Sequence, residues 1–312
     1  MKPRFVHSFW TKPALGVTAN NDRQKVVYDL WVFAMSAWHI RNNGHTIVLH
    51  TDAVGEELFS RLPYDNIYRT LDKIDVDKAF WAASKMVAQE AEPLGSIHID
   101  GDVFIKKPDI LNKIAALGYD LIIERRTNLH CNPSITEKML PYIKSTLPEW
   151  FDTETTKAYN TGVTGFNNQA LKDRFLRKFW QWSKLLTSAE DYVKHPTQSD
   201  LIIEMGWLRQ LAEHKDLKVK ELYRHAVVDG SGEKKESGLK ESDKKPQIKL
   251  DKHGEPTDWS SITDRIWSDG EGYEHNYMQR KYYIIPQIIE FMKSNEPKLY
   301  KYLCDKIIPT LY

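Results

Sequence analysis

The first 124 residues alternate between two hydrophobic periodicities, and this alternation narrows the possible folds more than any other feature. Short apolar runs predict strands at 4–9 (RFVHSF), 46–50 (TIVLH), 67–71, 96–100 (SIHID) and 119–124 (YDLIIE). Between them apolar residues recur at helical spacing. Val27, Leu30, Trp31, Ala34 and Trp38 share one face of a helix over 26–41, which Asn42-Asn43-Gly44 ends. Helices are also expected at 54–61, at 78–91, where Ala83, Met86, Val87 and Glu90 keep helical spacing, and at 108–116, where Pro108 suits the first turn. A βαβα order of this kind predicts an α/β fold with a mainly parallel central sheet flanked by helices. Ligands of such sheets bind beyond the carboxyl ends of the strands.

The rest of the chain is more helical. Patterns at 169–186, 199–213 and 282–303 predict helices, and 217–223 reads as a strand. Residues 229–258 are rich in Lys, Glu, Gly and Ser and almost without apolar side chains. That composition cannot offset its ordering entropy, so a mobile charged insertion is expected there. The chain thus divides into a core over 1–225, the insertion, and a C-terminal segment over 259–312 expected to complete the site and pack as helices.

Composition removes several function classes. With 312 residues, 41% of them hydrophobic, a sizeable core is available. The formal net charge is +1, which disfavours nucleic acid as a partner. Cys131 and Cys304 match no zinc spacing and form no disulfide framework, so a reducing compartment is the default. The opening MKPRFVHSFWTKP has no apolar run suited to a signal peptide, and no run of about 18 apolar residues appears, so a cytoplasmic chain without a membrane span is expected. Most of the ten Trp residues are expected in the core, while sugar rings stack on exposed Trp and Tyr.

The segment that carries chemistry is SIHIDGDVFIKKP, residues 96–108. Asp100 ends an apolar strand, and Asp102 follows across a glycine that lets the chain turn sharply. Two carboxylates facing one small volume suit Mn²⁺ or Mg²⁺, hard cations that bridge phosphates and stabilise a departing diphosphate. Asp-Gly between apolar runs is equally a hairpin signal. Asp75-Val76-Asp77 serves as an internal control: it follows no apolar strand and reads as a turn or helix cap.

The stretch WAASKMVAQEAEPLGSIHIDGDVFIKKPDIL resembles the surroundings of the D-x-D motif in GT-A glycosyltransferases. It is most similar to glycogenin-like and galactosyltransferase-like retaining families and their uncharacterised bacterial relatives. The resemblance implies a GT-A-like fold and a UDP-sugar donor, with Asp100 and Asp102 as metal ligands. It further implies that Lys85 contacts donor phosphate or ribose, against the plainer reading of a solvated helix face. AYNTGVTGFN (158–167) resembles the family's N-x-G strand, in which Asn160 would contact the donor sugar; the alternative is a glycine turn between two strands. His275 and Lys281 match an H-x-x-G-x-x-K element supplying a third metal ligand and a diphosphate contact, although Met278 replaces its glycine. Asp52 and Trp10 fall where the family recognises the nucleotide, with a core position the plainer reading for Trp10.

TQSDLIIEMGWL (197–208) occupies the place of the family's acidic segment and offers Asp200 and Glu204 as catalytic groups. Four residues apart on a helix, they would share a face, while Asp200 could instead cap it. The reading is a metal-dependent glycosyltransferase, of hexosyltransferase type and retaining by resemblance, using a nucleotide-sugar and a glycan, lipid or protein acceptor. Two alternatives stay open: a nucleotidyltransferase, and a non-catalytic carbohydrate-binding protein on a decayed transferase fold. The first wants a Gly-rich phosphate loop, and residues 8–25 hold only Gly16.

Overall fold

The computed structural model describes residues 3–15, 21–78, 80–114, 118–128, 133–187, 201–222, 273–275 and 284–311. The charged insertion at 229–258 lies outside them. The expected α/β architecture is present as a seven-stranded, mostly parallel sheet flanked by helices. Its strands are β1 (Arg4–Phe9), β2 (Thr46–Thr51), β3 (Asn66–Arg69), β4 (Ile97–Ile99), β6 (Leu121–Asn128), β7 (Lys157–Phe166) and β8 (Val219–Glu221). They run in the order β3-β2-β1-β4-β7-β6-β8. β7 is antiparallel to both neighbours and the other pairings are parallel. A separate two-stranded ribbon pairs β5 (Val103–Ile105) with β9 (Tyr273–His275).

Both faces of the sheet are buried, which explains the continuous apolar runs. Phe5, Phe9, Ile47, Leu49, Ile97 and Ile99 point into one core, while Val6 and Val48 point to the other side. Helix Asn21–Asn42 fills the first core and is covered by helix Ile285–Asn295. Val26, Val27 and every residue from Leu30 to Ala37 are buried, so this helix is apolar around most of its girth instead of along the single stripe expected. Helix Ala83–Ala91 covers β1, β2 and β4 on the opposite face, and helices Gln169–Thr187 and Trp207–His214 pack beside β7.

Several local expectations are corrected. The helix expected from 78 begins at Ala83, because Phe80 N–H closes a turn on Asp77 C=O. Asp75 and Asp77 are exposed in that turn, and Ala82, not an aspartate, occupies the cap. Within the helix Glu90 is exposed, and Lys85 and Gln89 are buried instead. Asn160-Thr161-Gly162 is not a turn between strands; it lies inside the continuous ten-residue β7. Helices Thr11–Leu15 and Pro133–Ile143 add to the expected elements, the first only five residues long and the second containing Pro141.

Candidate active site

β1, β2 and β4 are mutually parallel, so their carboxyl ends, followed by Trp10, Asp52 and Asp100, share one edge of the sheet. The chain runs outward from β1 through β2 to β3, then returns to place β4 on the other side of β1. This reversal is a topological switch point, where ligands of open α/β sheets bind. Asp100 follows β4 directly at that point.

The Asp100-Gly101-Asp102 segment is not a hairpin. β4 pairs with β1 and β7, whereas β5 leaves the sheet and pairs with β9. Between them Val103 N–H donates to Asp100 C=O at 3.0 Å, and Asp100 N–H donates to Gly162 C=O at 2.8 Å. Gly101 is required for a reason other than the sharp turn expected: a Cβ there would lie 2.1–2.4 Å from three ring carbons of Phe33. The turn is therefore pressed against the central helix.

Asp100 heads a chain of polar contacts through the interior. Lys85 Nζ stands 3.0 Å from Asp100 Oδ1 and 2.7 Å from Glu204 Oε1. It also donates to Thr161 C=O at 3.2 Å, and Thr161 Oγ1 donates to Glu204 Oε1 at 2.6 Å. Lys85 is 3% exposed, so the reading of a solvated helix face is excluded. Burial pulls its pKa down, but the charges of Asp100 and Glu204 outweigh burial and raise it. The lysine is thus a fixed cation between two carboxylates.

Glu204 is fully buried on a π-turn, Ile202–Gly206, and its Oε2 has no hydrogen-bond partner. Single π-turns inside helices recur at functional sites. Asp200 lies outside the described residues. On the other side of Asp100, His98 Nε2 hydrogen-bonds Ser8 Oγ at 2.9 Å, while its Nδ1 is 3.8 Å from Asp100 Oδ1, beyond hydrogen-bonding range. Burial, reinforced by Lys85, holds the His98 pKa well below its ordinary value, so the ring is neutral. His98 is not among the residues expected at the site. Its signal was a polar side chain in an otherwise apolar strand buried on both faces.

The remaining expected residues fall as follows. Asp52 is buried and fully engaged in structure: Oδ1 accepts from Gly55 N–H at 2.9 Å, and Oδ2 accepts from Thr11 N–H at 2.9 Å and Thr11 Oγ1 at 2.7 Å. It caps helix Ala53–Phe59 and ties that helix to the end of β1. Trp10 is buried in the second apolar core, in line with the plainer reading. Asn160 Oδ1 accepts from Gly162 N–H at 2.9 Å and so shapes the strand beside Asp100. The register of β9 sets His275 opposite Val103, next in sequence to Asp102. Lys281 lies outside the described residues.

The chemistry of the donors fits a hard dication. Asp100 is a quarter exposed, already faces one cation, and stands two positions from a second carboxylate. Among the described residues no three His, Cys, Asp or Glu side chains form a complete metal-binding group. A third ligand would have to come from elsewhere.

Comparison with known proteins adds a family. The chain belongs to a family described as a family of unknown function, DUF6734, whose sequence model matches residues 1–249. A search of curated proteins finds no match. Among solved structures, the chain is similar to the WbbM bifunctional glycosyltransferase, at 10% identity and a TM-score of 0.34, over 70% of this chain and 38% of that one. It is also similar to mouse xyloside xylosyltransferase 1, at 11% identity and a TM-score of 0.35, over 70% of this chain and 84% of that one.

Proposed function

We propose that this protein is a metal-dependent glycosyltransferase that moves a sugar from a nucleotide-sugar, UDP-linked by resemblance, to a glycan, lipid or protein acceptor. The observation that carries the reading is the position of Asp100-Gly101-Asp102. It stands at the switch point of the sheet, backed by a buried lysine and flanked by the strand that carries His275. A divalent ion held by Asp100 and Asp102, with a further ligand from outside the described side chains, would supply charge neutralisation for the leaving diphosphate.

The chain's own groups have distinct parts in this reading. Lys85 keeps a positive charge behind Asp100 and limits the repulsion between the carboxylates before the metal binds. Asn160 and Gly162 set the floor beside Asp100, where the donor sugar would lie. Glu204 is buried and shares its Oε1 with Lys85 and Thr161, which suits a group that fixes Lys85 better than one that exchanges protons with an acceptor. The acid–base role is therefore assigned to Asp200, the other acidic group of the same segment.

Thermal-shift measurement with UDP, GDP and CTP, each with and without Mn²⁺, tests the reading. Stabilisation by UDP only when Mn²⁺ is present is the expected result. Metal-independent stabilisation by CTP would point to nucleotidyl transfer, and no response to any nucleotide would sink the transferase reading.

A further inference from the structure

We infer that the indole of Trp81 is a stacking platform for a hexopyranose ring at the mouth of the Asp100 site. The inference rests on the sugar-transfer reading and adds the surface that holds the sugar itself. Four large apolar side chains are exposed among the described residues: Val54, Trp81, Leu94 and Tyr142. Trp81 is 37% exposed and belongs to none of the three apolar clusters. Its ring centre lies 5.9 Å from Lys85 Nζ, the same ammonium that contacts Asp100 and Glu204.

The backbone that presents this ring is anchored on both sides. Phe80 and Ala82, its neighbours in sequence, are both fully buried. Ser84 Oγ donates to Trp81 C=O at 3.0 Å and fixes the backbone at the entry to the helix. Exposing part of an indole forfeits burial free energy that the adjacent core could have taken up. Here the chain anchors the residues on either side and leaves the ring outside.

A pyranose ring fits this environment. One face of a hexose presents C–H groups and the rim presents hydroxyls. The π-face of tryptophan is electron-rich and attracts the polarised C–H face, as it attracts cations. Lys85 Nζ lies over one face of the indole, so the sugar takes the opposite, outward face. The ring can belong either to the donor sugar or to an acceptor glycan, since both must meet beside the departing diphosphate.

Trp81→Ala and Trp81→Phe test the inference, and a half-exposed side chain outside the cores can be truncated without loss of the fold. Calorimetric titration compares UDP, UDP-glucose and UDP-galactose, all with Mn²⁺. Saturation-transfer NMR follows methyl glucosides and maltose in the presence of UDP and Mn²⁺. Trp81→Ala should leave UDP binding unchanged and weaken sugar binding about tenfold, the scale of one lost aromatic contact. Trp81→Phe should recover most of that loss. A loss confined to UDP-hexose assigns the platform to the donor, and a loss confined to the glycosides assigns it to the acceptor. Equal weakening of UDP and UDP-hexose would put the base on the indole and overturn the inference. So would a parent that binds UDP while neither sugar readout responds to Trp81→Ala. A parent that binds no nucleotide sinks the transfer reading; the platform then survives only if glycoside saturation transfer is present and disappears in Trp81→Ala.

Discussion

Lys85 Nζ lies 2.7 Å from Glu204 Oε1, across 119 positions of sequence, with both side chains buried. The pair joins a helix on one face of the sheet to a π-turn beside β7, and Lys85 continues the contact to Asp100. The partly exposed Asp100 carboxylate, the proposed metal ligand, is thereby held in place by an ion pair in the interior.

Lys85→Met leaves the Glu204 carboxyl buried without its cation. Removing one partner of a buried pair costs about 3–5 kcal/mol. Lys85→Met should therefore be strongly destabilised in urea unfolding. Lys85→Met combined with Glu204→Gln, which keeps an acceptor for Thr161, should regain most of that loss. Additive losses in the double variant would mean that the two residues are not coupled.

Asp102→Asn preserves shape and removes charge. Nucleotide binding should lose its Mn²⁺ dependence, and turnover should fall about 10²- to 10³-fold, the scale of lost electrostatic stabilisation. The melting temperature without metal should hold or rise slightly, because carboxylate repulsion is relieved. Asp77→Asn, in the exposed turn, should change nothing in a calorimetric titration of UDP with Mn²⁺. If Asp102→Asn binds UDP–Mn²⁺ like the parent, the metal site is not there.

Gly101→Ala drives a methyl group into the ring of Phe33. Overpacking of this kind costs about 1–3 kcal/mol. The melting temperature should drop, and Mn²⁺-dependent UDP binding should weaken because the turn moves off the helix. Adding Phe33→Leu should restore part of both. No drop in either would show that the turn yields freely and that the contact does not fix the carboxylates.

Stability should decline with acid below about pH 6.5. Burial lowers the His7 pKa from 6.5 to about 3, with Asp102 opposing, and burial followed by Lys106 lowers that of His39 to about 4. Both rings stay neutral in the folded protein while the unfolded chain takes up protons below pH 6.5. Their contribution is therefore complete above pH 6.5 and is lost as pH falls toward the folded-state values. His7→Gln should flatten urea stability against pH by up to about 1.4 kcal/mol per pH unit between 6 and 4, whatever its effect at pH 7. An unchanged slope would mean that His7 is protonated in the fold.

Local pattern was enough to give the α/β class, because strand and helix periodicities are local and each element buries its own apolar face. It also determined that Asp100 and Asp102 flank a strand end, since IHID-G-D holds both signals within a few residues. Long-range pairing settled that the segment leaves the sheet instead of forming a hairpin. That outcome depends on β5 finding β9, which aligns position 103 with position 275. It likewise decided that Lys85 faces inward: helical spacing alone put Glu90 on the covered face, and the carboxylates that hold the ammonium come from separate elements. Periodicity reports what a segment must bury, but partners are chosen by pairing between segments far apart in the chain. No local pattern encodes that pairing, because its free energy exists only once the sheet has brought the segments together.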